Sequence, residues 1–443
     1  MKISVKNIPY EKALTLTRPE HRMPKKCNFF WRNLIQGLTW FGMAGSGFTY
    51  ETERMELLPK DQPCLILMNH SCFLDMQIAH RILYPRHFSI VATFDSFVGM
   101  GGLMNWVIHQ IGGIPTQKFV TDLTLISDMQ YCFKELKTSV LMYPEAGYSF
   151  DGRCTPLPRK MGVILKKLDV PVVMIETFGA FSRNPLYNEL QVRKGVKVSA
   201  KATLLYTREE IKEKTVQELS DGLDAAFGFD SFKWQKENNV QIHDKFRADG
   251  LNRILYKCPH CGTEGKMEGK GIHLTCHSCG KKWELTPLGE MQALEGETEY
   301  THIPDWYAWE RECVRQEILE GTYKLEADVK IGMLVDTKHL YMVGEGHLTH
   351  DRENGFMLTG CDGKLRYTQK PQSCYSVNAD YYWYEIGDII SIGNSEALYY
   401  CFPQNAGDFV AKTRFAAEEM YKLFKTRRLK APEQPVASAT NGN

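Results

Sequence analysis

The chain has 443 residues, 43% of them hydrophobic and 12% aromatic, a composition that builds packed cores and excludes an intrinsically disordered protein. Its 54 Lys and Arg against 53 Asp and Glu leave a formal charge of +1, so no global field is available to hold nucleic acid, and none is expected as a partner. A length prior of about 150 residues per domain implies two to four domains.

No stretch reaches the roughly 18 uninterrupted apolar residues of a spanning helix. The opening segment, MKISVKNIPYEKALTLTRPE, lacks an apolar core, so no secretory signal is read there. Of thirteen cysteines, four fall in C-x2-C pairs and the rest are scattered. That pattern favours reduced thiols and a metal site over disulfides, in a reducing compartment, with the other cysteines packed as small apolar residues.

Residues 1–49 form an N-terminal segment whose part 22–48 has an aromatic helical pattern, with Trp31, Leu34, Ile35, Leu38 and Phe41 at i, i+3, i+4 spacing. Arg22, Lys25, Lys26 and Arg32 precede or enter it, and Gly37, Gly42, Gly45 and Gly47 weaken it. Two readings stand: an ordinary packed helix, or an interfacial helix with aromatic residues at headgroup level and cations toward anionic lipid.

From 50 to 250 short apolar runs alternate with helical patterns. Cys64–Met68, Phe88–Ala92, Ser139–Met142 and Val170–Ile175 read as buried strands, and segments near 72–84, 100–111, 121–136 and 158–168 as helices. The alternation predicts a three-layer α/β domain with a largely parallel sheet. Residues 251–290 hold the Cys-rich unit. In 300–430 a helix near 303–320 precedes strand language over 322–402, with turn signals at Gly344–Gly346, Asp362–Gly363 and Asn394. A last helix at about 414–425 makes this a C-terminal α+β domain of pleckstrin-homology-like (PH-like) architecture. The tail 431–443 reads as disordered.

The run Asn69-His70-Ser71-Cys72-Phe73-Leu74-Asp75 follows a buried strand, where α/β folds place ligands. On one ideal helix His70 and Asp75 would be about 140° apart and could not meet. With His70 in the loop and Asp75 in the first turn, the carboxylate can fix the imidazole tautomer and leave the other nitrogen as a base. The alternative is a capped helix start with a structural His and a dipole-favourable Asp.

Three further blocks follow in order: Gly112-Gly113-Ile114-Pro115-Thr116-Gln117-Lys118, Tyr143-Pro144-Glu145-Ala146-Gly147-Tyr148-Ser149 and Val170-Pro171-Val172-Val173. Here the sequence resembles the glycerolphosphate acyltransferase family, of the bacterial 1-acylglycerol-3-phosphate acyltransferase type, over residues 50–235. That family shows N-H-x4-D, G-x-I-x-x-x-R, F-P-E-G-x-R-S and V-P-V at similar spacings. The resemblance implies an O-acyltransferase with His70 as general base and Asp75 as its orienting partner, transferring directly, with no acyl-enzyme and no catalytic cofactor. Cys72 is read as packing. The substrate-binding positions it implies are Gly113, Ile114, Lys118, Glu145 and Tyr148.

The chain departs from the pattern where the family grips an acceptor phosphate. Lys118 stands for the first Arg and keeps charge without the bidentate fork. Ala146 stands for Gly, and Tyr148 for the second Arg. Arg153, Arg159 and Lys160 are candidate substitutes, or solvated cations. Lysophosphatidic acid is therefore expected to be a poorer acceptor here than in typical members.

Cys258, Cys261, Cys276 and Cys279, as two C-x2-C knuckles fourteen residues apart and each followed by Gly, have zinc-ribbon spacing. Four thiolates leave no open position, so a structural Zn2+ is expected, with Leu274 and Trp283 over its small core. His260, His273 and His277 are spare. For the last domain the readings are a lid or docking module, or lipid or acyl-donor recognition through aromatic loops such as Tyr381–Tyr384.

Together these imply an enzyme of phospholipid biosynthesis, cytoplasmic and peripheral on the inner face of the cell membrane. It moves a fatty acyl group from acyl-CoA or acyl-carrier protein to a lysophospholipid such as 1-acylglycerol-3-phosphate. The rivals are the same chemistry on a non-phosphate lipid, glycolipid or amino-lipid acceptor, and a non-catalytic zinc-ribbon scaffold that binds lipid.

Overall fold

The computed structural model describes residues 3–99, 102–120, 122–189, 191–404 and 409–430, with side chains of the last helix to 425; the expected disordered tail lies outside the described residues. The chain opens with β1 (Val5–Asn7) and α1 (Tyr10–Leu14), both of which join the C-terminal domain. The aromatic pattern becomes α2 (Phe29–Gly42), whose start is capped by the Asn28 side chain accepting from Trp31 N at 3.0 Å. It ends where Gly45 and Gly47 take positive φ. Its one fully buried residue is Thr39, while Phe29, Phe30, Leu38, Trp40 and Phe41 are 60–74% exposed. An ordinary packed helix buries its apolar face; this one turns it outward. Among the described residues no helix is long and apolar enough to cross a membrane.

Seven strands then build one sheet: β2 (Thr49–Glu53), β3 (Leu65–Met68), β4 (Phe88–Thr93), β5 (Gly113–Thr116), β6 (Ser139–Met142), β7 (Val172–Phe178) and β8 (Ser199–Tyr206). Their order is β2-β8-β7-β3-β6-β4-β5, and every neighbouring pair is parallel except β7 with β8. Crossovers are made by α3 (Asp75–Leu83), α4 (Leu103–Gln110), α5 (Leu123–Lys134) and α6 (Met161–Leu168), close to the expected spans. The helices α7 (Ala180–Arg183), α8 (Arg208–Glu213), α9 (Val216–Ala226) and α10 (Ser231–Glu237) follow. The central strand β3 explains the apolar run: Ile66 and Met68 pack with Ile78 and Ala79 of α3 on one face, Leu65 and Leu67 with Met129 of α5 and Leu165 of α6 on the other. A strand buried on both sides cannot alternate in polarity.

The Cys-rich unit is a four-stranded antiparallel sheet of β9 (Met267–Lys270), β10 (His273–Cys276), β11 (Lys282–Leu285) and β12 (Met291–Ala293). Leu274 and Trp283 are fully buried, as expected, and the Trp283 ring meets Trp306 edge-on at 5.2 Å.

Next come α11 (Ile303–Glu320), β13 (Lys324–Met333), β14 (Leu340–Asp351), β15 (Gly355–Gly360), β16 (Leu365–Gln369), β17 (Asn378–Trp383), β18 (Gly387–Gly393), β19 (Leu398–Pro403) and α12 (Phe409–Lys430). The strand order is β16-β15-β14-β13-β19-β18-β17, antiparallel throughout, with β1 added parallel to β14. Two turns fall as expected, but Gly344–Gly346 lies inside β14. There the register with β13 shifts between Ile331 and Gly332, and Gly344 holds φ 153°, so the glycines serve an irregular strand rather than a turn. One apolar cluster runs unbroken from Phe150 and Phe181 through Leu274 and Trp283 to Ile331, Tyr381 and Phe415. The three sequence regions share a core.

Helix α6 lies against α9 so closely that a Cβ on Gly162 would fall 2.3 Å from Val216 O and 2.6 Å from Ser220 Oγ. Overpacking of this kind costs about 1–3 kcal/mol. Gly162→Ala should lower the thermal midpoint accordingly. Gly37→Ala, in α2 with nothing within 4 Å, should not lower it.

Candidate active site and cysteine cluster

The carboxyl ends of β3, β4, β5, β6 and β7 all point to one edge of the sheet, and the blocks that begin at Asn69, Gly112 and Tyr143 reach it, while Val170-Pro171-Val172-Val173 opens β7 at its amino end, on the opposite edge. Asn69, at the end of β3, ties that strand to β7: its Oδ1 accepts from Thr177 N at 2.9 Å, and its Nδ2 donates to Thr177 Oγ1 at 3.0 Å and Ser71 Oγ at 2.9 Å. His70 is in the loop and Asp75 begins α3, the arrangement their spacing requires. His70 Nδ1 donates to Asp75 Oδ2 at 2.9 Å, and the same oxygen accepts from Ser71 N at 2.7 Å and Cys72 N at 3.0 Å. Asp75 satisfies two backbone donors of the loop before α3 and also fixes the imidazole, whereas the capped helix start is absent, the residue before α3 being Leu74 with no side-chain cap.

The His70 ring lies between two aromatic rings, Tyr143 at 4.1 Å and Tyr148 at 3.9 Å between centroids, at 19° and 29°. Burial lowers its pKa, the Asp75 contact opposes the fall and Lys118 adds to it. The imidazole is therefore biased to the neutral form that can accept a proton. Burial also raises the Asp75 carboxyl above its ordinary range, against the donors gathered on it. The Cys72 thiol is pushed well above its ordinary range by burial and by Asp75, the opposite of an activated nucleophile.

Glu145 does not face outward. Its Oε1 accepts from His70 N at 2.9 Å and its Oε2 from Thr155 N at 2.9 Å, and burial pushes its pKa up to about 7. It clasps the His70 loop to the loop after β6. Ala146 holds φ 56°, the left-handed region where glycine is unstrained and an L residue costs about 1–2 kcal/mol, which accounts physically for the glycine this chain replaces.

Lys118 follows β5 and reaches a crevice shared with the C-terminal domain. Gly113 and Ile114 do not line it. Ile114 is fully buried in the core, and a Cβ on Gly113 would fall 2.2 Å from Ile108 Cγ2, so both are packing residues that set the exit of β5. Arg153 is engaged by Asp230 at 2.7 Å and Asp305 at 3.1 Å, and Arg159 lies over the Tyr421 ring. Neither is directed at His70. The cation that does approach is Arg414 of α12, 3.5 Å from Tyr148 O and over the Phe150 ring at 4.6 Å. Nothing in the sequence placed it there. Tyr381 and Trp383 are buried rather than displayed on loops: the Trp383 indole donates to Asp95 Oδ2 at 3.1 Å, and the Tyr381 ring meets Phe150 at 4.8 Å.

Away from this edge, one sulfur each from Cys258, Cys261, Cys276 and Cys279 lies within 4.8 Å of the others, with Cys258–Cys279 and Cys261–Cys276 both at 3.8 Å. A tetrahedron with metal–sulfur bonds of about 2.3 Å has edges of about 3.8 Å. The four cysteines fit a tetrahedral ion, and His277 is turned to Glu268 instead.

The acyltransferase family model matches residues 50–176. A chloroplastic 1-acyl-sn-glycerol-3-phosphate acyltransferase (BAT2) of Brassica napus is 26% identical over 142 residues, 31% of this chain and 40% of that protein. The chain thus spans about two fifths of that relative's length. The crystal structure of the 1-acyl-sn-glycerophosphate acyltransferase PlsC from Thermotoga maritima matches at 18% identity and a TM-score of 0.29, over 43% of this chain and 79% of that one. The matched span, residues 50–176, contains all four sequence blocks, and over it the chain is similar to the acyltransferase family.

Proposed function

We propose that the protein transfers a fatty acyl group from the thioester of acyl-CoA or acyl-carrier protein to the hydroxyl of a lysophospholipid, with His70 as general base. The observation that carries the reading is the bond from His70 Nδ1 to the buried Asp75 carboxylate, which leaves Nε2 as the basic atom. Nε2 takes the acceptor's hydroxyl proton as the oxygen attacks the thioester carbonyl. The tetrahedral intermediate expels the thiolate, and the imidazolium returns the proton to it. Asp75 at 2.9 Å and the two tyrosine faces stabilise the transient cation. Transfer is direct, a reading supported by the buried, raised-pKa thiol of Cys72.

The site residues in this reading are His70 and Asp75 for chemistry, Lys118 for the acceptor's anion, and Glu145, Tyr143 and Tyr148 for positioning. The outward aromatic face of α2, with exposed Lys25 and Lys26 before it, supports docking on the cytoplasmic face of a membrane as a peripheral protein. The same reading divides the chain into an interfacial segment, a three-layer acyltransferase domain, a zinc ribbon and a PH-like domain. The four cysteines would hold a structural Zn2+ that joins no chemical step.

General-base help of this kind is worth about 10²–10⁴ in rate. His70→Ala should therefore cut thiol release from a long-chain acyl-CoA, in the presence of a lysophospholipid, by at least a hundredfold, while Cys72→Ala stays active. Retention of activity within tenfold by His70→Ala would end the proposal.

The pH profile follows from the same group. The base must be neutral, and burial lowers its pKa, so kcat/KM should be flat through neutral pH and fall only below about pH 6.5, the unperturbed value. An acid limb centred above 7 would mean that another group supplies the base.

Metal analysis of protein purified under reducing conditions should give one zinc per chain. Cys261→Ser with Cys279→Ser should abolish it and loosen residues 255–285 toward proteolysis. Zinc-free protein with an intact, protease-resistant ribbon would remove the metal from the account.

A further inference from the structure

The turn after β6 grips His70 by its backbone as well as by its ring. Glu145 Oε1 accepts from His70 N at 2.9 Å, Ser149 N donates to His70 O at 2.9 Å, and between them Tyr148 stacks on the imidazole at 3.9 Å. Both backbone polar groups of His70 and one face of its ring are thus held by a single short stretch of chain. That stretch is strained. Ala146 holds φ 56°, a conformation that costs an L residue about 1–2 kcal/mol. Strain of this kind persists only where the surroundings over-determine the backbone, and part of those surroundings comes from the second domain.

Arg414 of α12 is buried, and its guanidinium touches the turn on both sides of Ser149: it makes a long bond of 3.5 Å to Tyr148 O and lies over the Phe150 ring at 4.6 Å. The helix presents it at a fixed height. Two residues earlier, Lys412 is tied to Glu264 at 2.7 Å and to Glu317 at 2.8 Å. One turn later, Glu418 accepts from Arg414 Nε at 3.3 Å and from Ser376 at 2.8 Å, and pairs with Arg311 of α11. The charges match as well as the shapes. Burial raises the Glu145 carboxyl, and the bonds from Thr155 and His70 and the charge of Arg414 oppose the rise. Burial likewise raises Asp151, two residues past Ser149, and there Arg153 and then Arg311 oppose it. Buried carboxylates need donors or cations to stay ionised, and both acids of this segment lie in the field of arginines from α11 and α12.

We propose that Arg414 is a positioning residue for the reaction: from the second domain it presses the turn after β6 against the His70 loop, so that the base is aligned only while α12 is docked. It acts through Tyr148, Phe150 and Glu145 rather than on the reacting atoms. The inference rests on the acyl-transfer reading for what His70 does, but the alignment of the ring does not depend on turnover. The chemistry of the first domain then needs a residue that this domain does not contain.

The test uses the full chain with long-chain acyl-CoA and either lysophosphatidic acid or lysophosphatidylethanolamine in mixed micelles. Arg414→Gln removes the charge and the planar group, while Glu418 keeps Arg311 and Ser376 as partners. It should lower kcat about tenfold or more and leave both KM values within about twofold, because misalignment acts on the chemical step rather than on binding. Arg414→Lys should recover most of the loss. In a His70→Ala background, Arg414→Gln should cost less than about twofold of the residual rate, since two residues that act as one unit are not additive. The alignment is also read without any reaction, from the proton resonance of the Nδ1–H that His70 donates to Asp75, identified by its absence in His70→Ala. That signal should be sharp in wild type and Arg414→Lys and broadened or lost in Arg414→Gln. Dependence of the signal on Arg414 in a wild-type chain that transfers to neither acceptor would uphold the positioning role and overturn the acyl-transfer reading. Transfer by wild type, with kcat and the resonance both unchanged in Arg414→Gln, would overturn the positioning role and leave the acyl-transfer reading standing. An Arg414→Gln chain that fails to fold, or that loses as much activity with His70 absent as with it present, would make the residue merely structural and overturn the proposal as well.

Discussion

Three hydrogen-bond donors converge on a single oxygen of Asp75, and the geometry of the site follows from that convergence. A carboxylate sequestered from water is costly unless donors replace its hydration. Here Ser71 N, Cys72 N and His70 Nδ1 do so within 3.0 Å. Because two of those donors belong to the backbone, the carboxylate fixes the path of the loop as well as the tilt of the ring. Asn69 anchors the start of that loop to β7, and Glu145 anchors its middle to the segment after β6. His70 is therefore held by three side chains that each bond backbone, a more exact positioning than side-chain pairs alone could give.

The C-terminal domain is part of this construction. Arg414 and Arg311 of facing helices meet Glu418, which also accepts from Ser376 at 2.8 Å, all of them largely buried. Such a network is weak evidence for net stability, because desolvation cancels much of the Coulomb gain. What it does is fix register. It locks α11 and α12 together and sets the Arg414 guanidinium over Phe150, one residue past the Tyr148-Ser149 turn. Ser149 N in turn donates to His70 O at 2.9 Å. Displacement of α12 would thus be felt at His70.

Local pattern made much of the first sheet legible. The run LILM of β3, bounded by Pro63 and Asn69, could only be a doubly buried strand, and α3, α5 and α6 fall within a few residues of their periodic patterns. The His70–Asp75 pair and the four cysteines were legible for a related reason, since a fixed chemical geometry demands a fixed short spacing. Two things were not legible. The antiparallel placement of β8 beside β7 depends on a long return past α7 that carries no periodic signal. The approach of Arg414 to Tyr148 joins residues far apart in sequence and is made only by tertiary packing. Tyr381–Tyr384 misled for the opposite reason: an aromatic cluster reads as displayed, yet an irregularity of β17 between Asp380 and Trp383, with Tyr382 at φ 51°, sends Tyr381 and Trp383 into different apolar clusters.

The departures from the family pattern make sense together once the rings are placed. Tyr148 stands where the family has a cation, and its ring covers one face of His70 while Tyr143 covers the other. With both faces covered, only the edge of the imidazole is left open to a reacting group. The strained Ala146 backbone beside it persists because the Glu145 clasp and the Tyr148 stack over-determine that loop. Tyr148 thus packs where the family pattern has a cation, and the cation that comes to that turn, Arg414, is supplied by α12 of the C-terminal domain instead. The change in the loop after β6 and the packing of α12 against it are two parts of one arrangement, in which the second domain completes the surroundings of the His70 loop.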